Sequence, residues 1–306
     1  MRIPKPLFPG ARVALIAPAS AVPEAKLQPA LDYVRQLGLE PVVHPSCYFS
    51  NRDGYMAATD AQRAKEINEA FADPTIDGIW CIRGGYGCHR ILPLLDLDKI
   101  AQNPKWFGGY SDVTALHTAF NQICGFETYH CTMPSTEPNP GDFTEGWLKK
   151  ALFGELKGSI DNPENQKMKA LVEGKAEGML CGGNLSLLAA SLGTPWEIDT
   201  KNKILFLEDI GEKTYRVDGM LTQLRNAGKF RDCAGIILGA WTDCDPEYPE
   251  KTLLLPEIFH QLIVPAGKPL VMDFACGHVL PTVALAMGRK VMLDAGNCTI
   301  ELGGME

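Results

Sequence analysis

The sequence has no C-x-x-C pair and no Cys/His cluster at zinc-binding spacing, although it carries 10 cysteines. Thiols scattered in this way read as free and buried in a reducing compartment, so neither a disulfide framework nor a structural zinc is expected, and no cofactor is called for. Basic charge is also short: 29 Lys and Arg against 37 Asp and Glu leave a formal net charge of -8. A chain of that sign lacks the field that displaces counterions from nucleic acid or holds an anionic membrane surface, which leaves small substrates as the expected partners. No apolar run approaches the length that spans a bilayer. Near the N-terminus the apolar run is only Val13 to Ala17, bracketed by prolines at 4, 6, 9 and 18. That is short of a signal-peptide core, and a cytoplasmic protein is expected. Internal repeats and low-complexity segments are missing as well.

What is present is an alternation of short apolar runs and amphipathic stretches. Arg12 to Ala17 reads as a buried strand, followed by a helix opened at Pro23 with Leu27, Leu31, Val34 and Leu37 on one face. A strand at 41–44 and an irregular stretch through Gly54 come next. Thr59-Asp60-Ala61-Gln62 then makes a capping box for a helix burying Ala64, Ile67 and Phe71. Ile76 to Ile82 is short, apolar and rich in β-formers. Repeated βα units of this length predict an α/β fold with a parallel sheet covered by helices on both faces. The proline- and glycine-rich run 133–142 breaks this rhythm, and the expected division is a domain over 1–133, a linker over 134–168 and a second domain over 169–306. With 306 residues, two cores of their own are within reach.

Several strand ends carry chemistry. Gly109-Tyr110-Ser111-Asp112-Val113 places a serine on a strand-to-helix corner, where helix N–H groups could stabilise an oxyanion, although this stretch by itself favours a helix cap. The generic hydrolase elbow has glycine two residues after the serine, and here Val113 stands there. Arg83-Gly84-Gly85-Tyr86-Gly87 follows a parallel strand, and its glycines allow a ligand close approach. Its spacing fits neither the dinucleotide fingerprint nor the Walker pattern, and an oxyanion donor serving Ser111 is favoured over a phosphate loop, with a purely structural glycine turn the remaining alternative. His278, after Gly277 at a strand end, is the histidine best placed to be a base. His44, His117 and His260 read as structural, while His89 and His130 lie near strand ends. Glu208 and Asp209 end another strand. By alternation only one of them addresses a given crevice; Glu208 could pair with His278, and Asp209 is the more natural cap for the following helix.

Taken together and in order, Arg83 to Gly87, Gly109 to Thr114, Gly182-Gly183-Asn184-Leu185, Leu205 to Asp209 and Gly277-His278 closely resemble the LD-carboxypeptidases. This serine peptidase family includes muramoyltetrapeptide carboxypeptidase and the microcin C self-immunity hydrolase. The resemblance runs from Val13 to the final hairpin. It implies a flavodoxin-like parallel-sheet N-terminal domain, a smaller β-rich α/β C-terminal domain, an active site between them and a homodimer. It also implies Ser111 as nucleophile, Glu208 and His278 as its carboxylate and base, and the amides of Gly85 and Asp112 as oxyanion donors. Cys276 departs from the aromatic common at its position in relatives. The activity implied is release of terminal D-alanine from murein tetrapeptides in cell-wall recycling; cleavage of peptidyl-nucleotide amides is an alternative within the same chemistry, and a non-catalytic small-ligand binding protein an alternative outside it. A carboxypeptidase needs a cation for the free carboxylate, for which Arg83, Arg90 and Arg216 are candidates by position. Gly84 and Arg83 are expected to touch substrate, and Trp241 to stack on a base where the substrate carries one.

Overall fold

The structure, a computed structural model, describes residues 1–48 and 55–303. The last part of the irregular stretch expected through Gly54 lies outside the described residues. The chain divides into two compact units, one formed by Met1–Leu156 with Ala284–Gly288, the other by Lys157–Val283 with Arg289–Glu306.

In the first unit, strands β1 (Arg12–Ile16), β2 (Glu40–Val43), β3 (Gly78–Cys81), β4 (Trp106–Gly109) and β5 (Thr128–His130) form a parallel sheet in the order 5-4-3-1-2. That is the flavodoxin-like order, in which ligands bind beyond the carboxyl ends of the strands where the winding reverses, here between β1 and β3. Helices α1 (Glu24–Gln36), α2 (Asp60–Ala72), α3 (Cys88–Ile91), α4 (Leu97–Gln102), α5 (Thr114–Ala119) and α6 (Asp142–Leu152) accompany the sheet. The Thr59 hydroxyl caps α2 by accepting from the Gln62 amide. An aromatic core of Phe71, Phe107, Phe120 and Phe126 fixes α2 and α5 against it, with ring centroids 4.9 Å apart at the tightest pair, Phe107 and Phe120. Helix α6 falls within the stretch expected as linker and belongs to this unit.

The sixth strand of this sheet, Leu285–Met287, comes from deep within the stretch expected to form the C-terminal domain, and pairs antiparallel with β5. The second unit has its own sheet of eight strands. β8 (Lys175–Asn184), β9 (Ile204–Ile210), β10 (Gly235–Thr242) and β11 (Leu270–Met272) run parallel at its centre. β6 (Gly158–Ser159), β7 (Lys169–Val172), β13 (Lys290–Asp294) and β14 (Thr299–Leu302) add antiparallel edges, with Leu285–Met287 taken as β12. Helices α7 (Leu185–Ser191), α8 (Thr214–Asn226), α9 (Lys229–Asp232) and α10 (Leu255–Leu262) belong to this unit, and Leu185, Leu188, Leu221, Leu224 and Phe259 pack on Leu205, Leu207, Ile236 and Leu238 of the central strands.

His117 on α5 is fully buried, consistent with a structural role. Its Nε2 lies 2.8 Å from the Gly109 carbonyl and its Nδ1 2.8 Å from Thr128 Oγ1. A carbonyl can only accept, so Nε2 carries the proton and Nδ1 accepts from the threonine. Burial pushes its pKa down to about 3, whereas in the unfolded chain it titrates near ~6.5. Below that value the unfolded chain takes up a proton that the native ring refuses. The fold therefore loses stability as pH falls from about 6.5 toward 3, by at most ~1.4 kcal/mol per pH unit from this group. Urea denaturation of wild type and His117→Asn at pH 7, 6 and 5 should give a shallower acid slope for the variant; parallel slopes would exclude His117 as the cause.

Candidate active site

In the first unit, β4 delivers Ser111 through a turn that no ordinary strand-to-helix joint requires. Ser111 has φ +64, in the left-handed region, where a residue with a Cβ is strained by roughly 1–2 kcal/mol. A short 3-10 turn over Ser111–Val113 then leads into α5. Gly84 packs directly against this corner. A Cβ on it would lie 3.0 Å from Ser111 Cβ and 3.2 Å from Ser111 Oγ, so a side chain at position 84 would crowd the hydroxyl.

Gly85 continues the same loop at φ +112. The loop is tied to the end of β1 by two bonds: Ser20 N–H donates to the Gly84 carbonyl at 3.2 Å, and Tyr86 N–H donates to Ser20 Oγ at 3.1 Å. Asp112 is buried, its carboxylate accepting from the Cys88 N–H at 2.7 Å. Burial pushes its carboxyl up in pKa, against the downward pull of the Cys88 bond. Ser111, Gly84, Gly85 and Asp112 are thus brought into one neighbourhood by the ends of β3 and β4.

Of the candidate cations, Arg83 Nη1 donates to the Ala21 carbonyl. Arg90 Nη2 is 2.8 Å from Asp60 Oδ2, and Arg216 Nε is 2.7 Å from Glu212 Oε2. Arg90 and Arg216 therefore already face carboxylates, which spend much of the charge a substrate carboxylate would use.

In the second unit, the end of β9 holds Glu208, which is fully buried. Its Oε2 accepts from His278 Nδ1 at 2.7 Å and from the His278 backbone N–H at 3.3 Å. The bond fixes the tautomer: with Nδ1 donating to the carboxylate, Nε2 carries the ring's lone pair. Thr242 Oγ1 donates to the His278 carbonyl and steadies the loop from behind. Cys276 is buried, its thiol directed at the Val283 carbonyl.

Asp209 turns to the other side of β9. It accepts from Asn184 Nδ2 at 2.8 Å, from Ser186 N–H at 3.0 Å and from Ser186 Oγ at 2.7 Å. Asp209 therefore caps α7, not the following helix as expected. The reason is topological: β8 and β9 are parallel neighbours with Asn184 opposite Glu208, so the helix leaving β8 starts beside Asp209. Trp241 packs on the Phe259 ring at 5.1 Å and lines a cavity of about 470 Å³ with Lys167, Asp245, Leu255 and Met272. Among the described residues no group of three or more His, Cys, Asp or Glu side chains could hold a metal ion. No described helix is long and apolar enough to cross a membrane.

The profile of the LD-carboxypeptidase N-terminal domain matches residues 13–131, and that of the LD-carboxypeptidase C-terminal domain matches 177–293. A Bacillus subtilis protein named "Probable murein peptide carboxypeptidase" is 40% identical over 308 residues, covering 99% of this chain and 95% of its own. The chain belongs to the LD-carboxypeptidase family. The microcin C7 self-immunity protein of Escherichia coli is 28% identical, covering 94% of this chain and 90% of its own. Among solved structures, the muramoyltetrapeptide carboxypeptidase of Oxalobacter formigenes superposes with a TM-score of 0.81 at 29% identity, over 95% of this chain and 98% of that one. The two-domain α/β architecture with its flavodoxin-like sheet is the family's.

Two residues of these neighbourhoods carried little sign in the sequence. Arg63 is fully buried on α2 among the loops that follow β1 and β3. The one hint was a charged residue beside Ala64 and four before Ile67, on the apolar face. Asp112 was expected to contribute only its backbone N–H to the site, and nothing in the sequence announced the hold of its side chain on Cys88.

Gly277 is the steric condition for the Glu208–His278 pair. It has φ +121, and a Cβ there would lie 2.6 Å from Glu208 Oε2. Gly277→Ala should therefore cost about 1–3 kcal/mol of stability in a denaturant titration. It should also abolish the downfield proton resonance of His278 Nδ1–H. A variant that unfolds like wild type and keeps that resonance would show the position to be permissive.

Proposed function

We propose that this chain is a serine carboxypeptidase that releases the terminal D-alanine of murein tetrapeptides by cutting the amide between an L-configured centre and that D-residue. The observation that carries the proposal is the left-handed backbone of Ser111 at the end of β4. A strained non-glycine residue at a strand-to-helix corner is the hallmark of a hydroxyl held out for reaction, and a helix cap has no use for the strain. The 2.7 Å Glu208–His278 bond supports it by supplying an oriented base. Membership of a peptidase family, and relatives whose names specify murein peptides, favour an enzyme over a small-ligand binding protein.

In this reading His278 Nε2 takes the Ser111 proton as Oγ attacks the scissile carbonyl. Glu208 holds the ring and stabilises the imidazolium. The amides of Gly85 and Asp112 donate to the developing oxyanion, which is where most of the barrier lowering arises in such chemistry. The tetrahedral intermediate collapses, His278 returns the proton to the leaving D-alanine amine, and water then hydrolyses the acyl-enzyme by the same route. No metal enters the scheme. Arg83, whose observed contact is a backbone carbonyl, receives the substrate carboxylate, with Gly84 keeping the approach open. The reading carries with it a cytoplasmic homodimer.

Mass spectrometry of a murein tetrapeptide incubated with chelator-treated protein tests the assignment. Wild type should release D-alanine, and Ser111→Ala should lose on the order of 10⁴-fold or more in turnover. Near-wild-type turnover by Ser111→Ala would falsify the nucleophile assignment. If wild type is labelled at Ser111 by a fluorophosphonate yet leaves the tetrapeptide intact, the substrate is instead a peptidyl-nucleotide amide, with Trp241 the aromatic available to a base. Arg83→Glu should raise KM for the free-acid tetrapeptide at least tenfold more than for its C-terminal amide; equal effects would remove Arg83 from the carboxylate site.

A further inference from the structure

The peptide unit joining Gly87 to Cys88 is gripped at both of its polar ends. Its carbonyl accepts from Arg63 Nη1 at 3.0 Å, and its N–H donates to Asp112 Oδ2 at 2.7 Å. The Arg63 side chain has no solvent exposure. Its Nε donates to the Ala58 carbonyl at 3.2 Å, its Nη1 also to the Pro18 carbonyl, and its Nη2 to Asp60. Asp60 in turn receives Arg90, whose Nε and Nη2 approach it at 2.8 to 3.1 Å.

Burying a guanidinium is a poor way to gain stability, since a well-packed apolar side chain of similar volume serves as well or better. What the charged fork supplies is geometry. Its planar donors fix several acceptors at set angles. Here those acceptors are carbonyls of three separate loops: the one after β1, the one before α2 and the one after β3. From the opposite side, the same peptide is held by the residue that follows Ser111. The loop carrying Gly84 and Gly85 therefore cannot shift without moving either Arg63 or the Ser111 turn.

We propose that Arg63 and the Asp112 carboxylate are positioning residues, a two-sided clamp on the Gly87–Cys88 peptide that keeps the Gly85 and Asp112 amides aligned with Ser111 Oγ. Asp112 thereby serves twice, its backbone toward the oxyanion and its side chain toward the loop that bears the other donor. The inference rests on the reading of Ser111 as nucleophile and is independent of which amide is cut.

The test is the rate at which a fluorophosphonate labels Ser111, because the phosphonyl oxygen occupies the oxyanion position and no peptide is needed. A reacting group misplaced by about 1 Å costs on the order of 10²-fold. Asp112→Ala should label about 10²-fold more slowly than wild type, measured well below its melting temperature. Asp112→Asn, which retains an acceptor for the Cys88 amide, should recover at least tenfold of that loss. Arg63→Met should show a similar deficit, and Arg63→Lys, which keeps the charge without the fork, should not restore the rate. With a cleaved peptide, the loss should fall on kcat while KM moves less than about threefold. A merely structural role would lower the melting temperature and leave the folded protein labelling within threefold of wild type; that result for Asp112→Ala overturns the proposal even if Arg63→Met fails to fold. Absence of labelling in wild type would instead overturn the nucleophile reading and this inference with it. Labelling without tetrapeptide cleavage would overturn only the substrate.

Discussion

Holding one serine in a left-handed backbone conformation is the constraint around which the first unit is built. At φ +64 Ser111 is uphill by roughly 1–2 kcal/mol, and only surroundings that fix the chain on both sides can keep it there. On the strand side, the Gly109 carbonyl accepts from both the His117 ring and the Cys131 amide. On the helix side, Asp112 is tied to Cys88. The hydroxyl lies between two anchored residues, and neither anchor uses the serine itself. A neutral, deeply buried histidine suits the first task, since its ring bridges strand and helix without introducing a charge.

The second unit solves a different problem with a similar economy. Two adjacent carboxylates end β9, and strand alternation sends them to opposite sides. Glu208 meets the histidine, while Asp209 gathers Asn184 and Ser186 at the start of α7. Each carboxylate is buried and each is hydrogen-bonded, as the cost of removing such a group from water demands. Gly277 is where that arrangement is least tolerant, because His278 and Glu208 approach through the space a side chain would fill.

Much of this was legible in the sequence for local reasons. The parallel strands announced themselves as short apolar runs, Ser111 as a serine two residues past Gly109 after a strand, His278 as a histidine directly after Gly277, and the opposite facing of Glu208 and Asp209 followed from a period of two. What stayed hidden depended on contacts distant in sequence. Arg63 sits in a helical pattern, and among the partners that allow its burial are carbonyls 45 positions before it and 24 after it. Asp209 was assigned to the helix that follows because sequence order favours it; the parallel pairing of β8 and β9 brings the earlier helix closer. Leu285–Met287 is three residues long and reads as nothing in particular until β5 is beside it.

That last strand bears on how the protein is made. The sheet of the first unit is finished by residues 285–287 of a 306-residue chain. During synthesis β5 is left as an open edge until residues 285–287 have emerged, and an open edge is a template for pairing with other chains. The unit that contains Met1–Leu156 is thus completed only after residues 157–283 of the other unit have been translated. For the same reason it cannot be excised whole by cutting the chain once after Leu156.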